Sequence, residues 1–105
     1  MNSPKVKNVA SIIERFIETG CYYETLHAQR RMNERNLTRL DVKHVLLTGK
    51  RETKRDRYSK EFGAWTYGMR GFTLDGGREV RVVFALDEHA LAVVTAVELA
   101  EEDLH

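Results

Sequence analysis

At Gly49 the apolar residues of this 105-residue chain change their period, and that change restricts the fold more than any other feature. Before it, Val9, Ile12, Ile13, Phe16 and Ile17 fall at i, i+3, i+4, i+7 and i+8, the stripe of an amphipathic helix over residues 8–19, with Gly20 as its stop. Residues 21–25 read as a short extended piece, then residues 27–35 as a second helix, capped by Thr25, with Ala28 and Met32 facing inward and Asn36 ending it. Thr38 with Asp41 resembles a capping box for a third helix, which Leu40, Val42, Val45, Leu46 and Leu47 give a wide apolar face. Gly49 reads as its carboxy-terminal cap. These two helices form a helix-turn-helix pair by sequence, a shape that need not read DNA.

Beyond Gly49 strand-forming residues take over. Residues 51–58 read as a polar edge strand or loop, and residues 64–74 and 79–86 flank Asp75-Gly76-Gly77-Arg78, a strong hairpin signal because glycine accepts the positive φ of a tight turn. A further strand follows at residues 91–99, and its Val93-Val94-Thr95-Ala96-Val97 run suits burial on both faces. Helices first and strands second define an α+β fold, with amino-terminal helices packed on a three- or four-stranded antiparallel sheet. The expected organisation is an arm at residues 1–7, one domain at 8–99 and an acidic tail at 100–105.

The formal net charge of +1 conceals a dipole in the sequence. From His27 to Lys60 there are eleven basic residues against four acidic ones, a local excess of +7, whereas from Phe84 onward six acidic residues meet no Lys or Arg. Whole-chain balance says little about any one face. A basic segment of this density suits either a solvated surface or a polyanion partner. The only cysteine is Cys21, and the four histidines have no metal-ligand spacing, so the sequence calls for neither a disulfide, a metal nor a cofactor. No stretch approaches a membrane span and the amino terminus lacks the apolar region of a signal peptide, so a soluble, cytoplasmic protein is expected. Walker loops and nucleophile elbows are absent.

Two residue groups could carry chemistry. With Gly76 and Gly77 as a two-residue loop, Phe72 pairs with Arg81, Arg70 with Val83 and Met69 with Phe84. Alternation then puts Tyr67, Met69, Val82, Phe84 and Leu86 on the core face, and Arg70, Phe72 and Arg81 on the other, where guanidiniums can fork onto phosphate beside a ring that stacks on a base. The second group lies on the second helix. His27, Arg31, Glu34 and Arg35 share one stripe, an imidazole for proton transfer beside guanidiniums. The structural alternative is a solvated strand face for the first group and surface ion pairs for the second.

The run His27-Ala28-x-x-Arg31-Met32-x-Glu34-Arg35-x-Leu37-Thr38, followed by Asp41-Val42, a helix ending at Gly49 and a closing Val-Val-Thr strand, resembles a family of small bacterial domains of unassigned function over roughly residues 9 to 99. Helices followed by a meander are also similar to the RelE/ParE superfamily of toxins, including MqsR-like and BrnT-like members, and members resembling this chain are often encoded beside small zinc-finger antitoxin-like proteins. That resemblance implies a metal-independent endoribonuclease that cleaves mRNA by attack of the ribose 2′-hydroxyl, held by an antitoxin partner. By residue type, it implies His27 for proton transfer, Arg70 and Arg81 for phosphate stabilisation, and Tyr67 as an acid. Lys54, Arg55 and Arg57, with Arg31, Arg35 and Phe72, would contact RNA. The acidic carboxy-terminal end carries no compact Lys/Arg/Tyr set. The competing reading is a noncatalytic protein- or nucleic-acid-binding module, and self-association is compatible with both.

Overall fold

The computed structural model describes residues 5–100, so the first four residues of the expected arm and all but Ala100 of the acidic tail lie outside the described residues. Three helices, α1 (Val9–Thr19), α2 (Leu26–Glu34) and α3 (Arg39–Thr48), share one face of a six-stranded sheet. The strands are β1 (Tyr22–Glu24), β2 (Lys50–Arg51), β3 (Arg57–Ser59), β4 (Ala64–Phe72), β5 (Glu79–Leu86) and β6 (Leu91–Glu98). They run in the order β1-β6-β5-β4-β2, with β3 also on β4. The α+β class is as expected, but the sheet is larger and mixed. Tyr22–Glu24 joins β6 in parallel, pairing Tyr22 with Leu91 and Glu24 with Val93. A contact some seventy residues apart in sequence leaves no local signal.

Local chemistry accounts for the helix ends. Gly20 closes α1 in the left-handed region at φ 78°, which only glycine enters without a Cβ penalty. Thr25 caps α2 through Ala28 N–H, and the Thr38–Asp41 pair forms a complete capping box on α3. Gly49 has a different role from the one its position suggests. Its backbone is extended, not left-handed, and a Cβ there would sit 2.6 Å from both the Arg70 and Val45 carbonyl oxygens. Glycine is required because α3 meets β4 backbone to backbone.

The β4–β5 register is offset by two residues from that of a two-residue loop. Phe72 pairs with Glu79, Arg70 with Arg81, Met69 with Val82 and Tyr67 with Phe84. Asp75 causes the difference. Its Oδ1 accepts the Thr73 hydroxyl at 2.6 Å and Gly77 N–H at 2.9 Å, while Thr73 N–H donates to Arg78 O, so residues 73–78 form a longer turn. An even offset preserves the faces. Tyr67, Met69, Val82, Phe84 and Leu86 are buried under the helices with Ile13, Val42, Val45 and Val93, and the Tyr67 and Phe84 rings stack at 5.6 Å.

The expectation that residues 93–97 are buried on both sides is corrected. Val94, Thr95 and Val97 are half-buried, because all three helices pack on the same face. Ala85 and Ala92 are buried on the opposite face yet stand outside the core cluster, and a β-bulge near Val83 and Phe84 leaves Val94 as the extra residue of β6. Among the described residues no helix is long and apolar enough to cross a membrane.

Candidate functional site

Burial and pairing separate the sequence-selected residues into three groups. Arg81 is only 7% exposed and forks onto Glu52, with Nη2 to Oε2 at 3.1 Å. That hydrogen-bonded pair, against the cost of partial burial, holds the Glu52 carboxyl below its ordinary range. The Arg81 guanidinium therefore ties β5 to the segment after β2, and a phosphate would have to displace a well-made buried pair to reach it. Tyr67 is fully buried, its hydroxyl accepting Val6 N–H at 2.8 Å, and burial raises its pKa. A general acid must reach its substrate, and this phenol is enclosed.

The residues of α2 form a second group. His27 is exposed in the first turn, on a helix that packs against β1 and β6. Since β5 lies between β6 and β4, those two strands stand roughly 10 Å apart at the usual spacing. His27 thus stands over the β1–β6 side of the sheet, whereas Arg70 is on β4, two strands from β6. Arg31 and Arg35 both reach Glu34, at 3.3 and 3.6 Å, as surface ion pairs.

The third group gathers at the far edge of the sheet. Arg70 and Phe72 on β4 line a cleft of about 490 Å³ together with His44 and Thr48 of α3, Lys50 of β2 and Glu79 of β5. The close approach at Gly49 produces it, since that contact sets Lys50 directly opposite Arg70. Phe72 is 53% exposed, a ring offered to solvent. Arg70 forks onto Glu79 at 2.9 and 3.0 Å, and this pair is half open to water. This fork lies where water reaches it, unlike the Arg81–Glu52 fork, whose side chains are largely buried. Along the same edge a second cleft of about 570 Å³ is lined by Lys54, Arg55 and Arg57 with Arg51 and Glu52. Lys50, Lys54 and Arg57 make no ion pair with any described residue.

His44 is the residue that sequence reasoning passed over. It sits mid-helix between two exposed leucines, Leu40 and Leu47, at i−4 and i+3, which resembles an ordinary surface stripe. Only the α3–β4 crossing brings it to the cleft that Arg70 also lines. Among the described residues no three His, Cys, Asp or Glu side chains gather as a metal ion would require.

Comparison with known proteins places the chain in a class first by its domain. Residues 25–98, from the cap of α2 to the end of β6, match the family described as a domain of unknown function, DUF4258. That span exceeds half of the sequence, and the chain belongs to this family. No curated protein and no solved structure matches it.

Proposed function

We propose that this chain is a toxin-like, RNA-acting domain whose site is the cleft between α3 and the β2–β4 edge, where it cleaves single-stranded RNA without requiring a metal. One observation carries the reading: an imidazole, two cations and an exposed ring line a single cleft, as His44, Lys50, Arg70 and Phe72. Each has a distinct use. The Phe72 face can stack on a base, and Lys50 and Arg70 offset the charge of a phosphate and of the phosphorane formed from it. Lys54 and Arg57 continue the basic edge along the RNA backbone.

In the reaction the ribose 2′-oxygen attacks the adjacent phosphorus and gives its proton to the His44 imidazole. The bond from phosphorus to the 5′-oxygen breaks, and that oxygen takes a proton from water, leaving a 2′,3′-cyclic phosphate and a 5′-hydroxyl end. Imidazole suits the step because it accepts and returns a proton near neutral pH. The experiment is cleavage of a 5′-labelled mRNA fragment in EDTA. Wild-type protein should yield cyclic-phosphate ends, His44→Ala should lose about 100-fold or more in rate, and His27→Ala should match wild type. Tight binding with no turnover would instead establish the noncatalytic module.

A further inference from the structure

At the opposite edge of the sheet, β1 ends in Glu24, whose side chain is 4% exposed. Its carboxylate accepts Arg39 Nε and Nη2, each at 2.9 Å, and the Tyr22 hydroxyl at 2.8 Å. Burial opposes its ionisation, but these donors outweigh the cost and hold its pKa below the ordinary value. Arg39 itself is 60% exposed. A buried carboxylate thus fixes the plane of an exposed guanidinium while its Nη1 has no hydrogen-bond partner among the described residues. Arg39 lines a cleft of about 630 Å³ with Arg30 and Asn33 of α2, neither of which spends its side chain on a described residue. Met32 and Leu37 line the same cleft from the core, and Leu26, 74% exposed, stands beside them.

We infer that this cleft docks an acidic, aliphatic peptide segment of a partner protein. The cations select for charge, since Arg30 and a pre-oriented Arg39 can each fork onto a carboxylate, and Asn33 adds a donor. The apolar part selects for aliphatic side chains, which would cover the exposed Leu26, since Met32 and Leu37 beside it are only 6% and 5% exposed. RNA fits less well, because no aromatic ring lines the cleft and a base would find nothing to stack on. The inference is independent of the RNA reading. Its residues lie on α2, the α2–α3 loop and the first turn of α3, beside β1, and none of them lines the cleft at the β2–β4 edge.

The test is a nitrogen-15 NMR titration of the whole chain with three probes: the capped peptide Glu-Leu-Glu-Glu-Leu-Glu, its Lys-for-Glu counterpart, and a six-nucleotide uridine RNA. The acidic peptide should give saturable shifts at the Arg39 Nε–H and the Asn33 side-chain amide, and the basic peptide none. Arg30→Ala, a surface change that leaves the fold intact, and Arg39→Ala should each weaken binding about tenfold, the loss expected for a charge-assisted hydrogen bond. Glu24→Gln should weaken it as well, through the lost orientation of Arg39. The inference is overturned if the acidic peptide produces no saturable shift, if the basic peptide binds equally, if Arg30→Ala has no effect, or if the RNA moves these same resonances more tightly than the peptide.

Discussion

Among the charged residues, partnership rather than sequence position decides which ones are available for binding. Glu52 and Arg81 illustrate the committed kind, since their side chains are 19% and 8% exposed and joined by a fork. Removing one partner from such a pair takes away the fork that compensates a charge in a poorly hydrated place. Glu52→Gln should therefore cost about 2 kcal/mol in urea unfolding, well above the cost of a surface change, and a loss under 0.5 kcal/mol would show that water reaches Arg81 freely. Sequence patterning placed Arg81 and Arg70 on one face correctly, because alternation depends only on parity. It could not tell them apart, because the carboxylates that cover each come from elsewhere in the chain: Glu52 after β2 and Glu79 across the hairpin.

Elements with local signals were readable, and those made by remote contacts were not. The α3 capping box, the left-handed Gly20 and the hairpin around Gly76 all follow from neighbouring residues. The two-residue offset of that hairpin arises from the Asp75 hydrogen bonds, which compete with the shorter loop. The parallel β1–β6 pair and the α3–β4 crossing depend on tertiary packing alone, and the candidate site lies at the crossing. Gly49 is its narrowest point. Gly49→Ala would place a Cβ against two backbone carbonyls that cannot yield, so it should destabilise the fold by about 2 kcal/mol or more and lower RNA affinity together with it. An alanine variant with unchanged denaturant midpoint would mean that α3 and β4 can separate there at little cost.

Across the whole molecule, part of the basic stretch is tied up in ion pairs with buried carboxylates, while some of its cations pair with no described residue. Glu24 joins Arg39, Glu52 joins Arg81, and Asp56, 3% exposed at its side chain, joins Arg51 and Lys5. Burial raises the pKa of Asp56, but Arg51 and Lys5 overcome it, so all three carboxyls are held below their ordinary values. A lowered folded-state pKa contributes stability above the unfolded value, and that contribution disappears as pH falls through the folded one. The urea midpoint should thus be unaffected by these groups between about pH 7 and pH 5 and fall below about pH 4. A protein as stable at pH 3 as at pH 6 would contradict the pairing.

Lys50, Lys54 and Arg57, which make no ion pair with any described residue, border one edge of the sheet, and we propose that RNA binds there. The most direct test is fluorescence anisotropy of a labelled single-stranded RNA across a range of salt concentrations. Engaging these three residues and Arg70 predicts a slope of log K against log salt of roughly −3, at about −0.7 per neutralised phosphate, and the Lys50→Ala/Lys54→Ala/Arg57→Ala variant should reduce it by about 2. A flat salt response, or a slope that the triple variant leaves unchanged, would contradict the account.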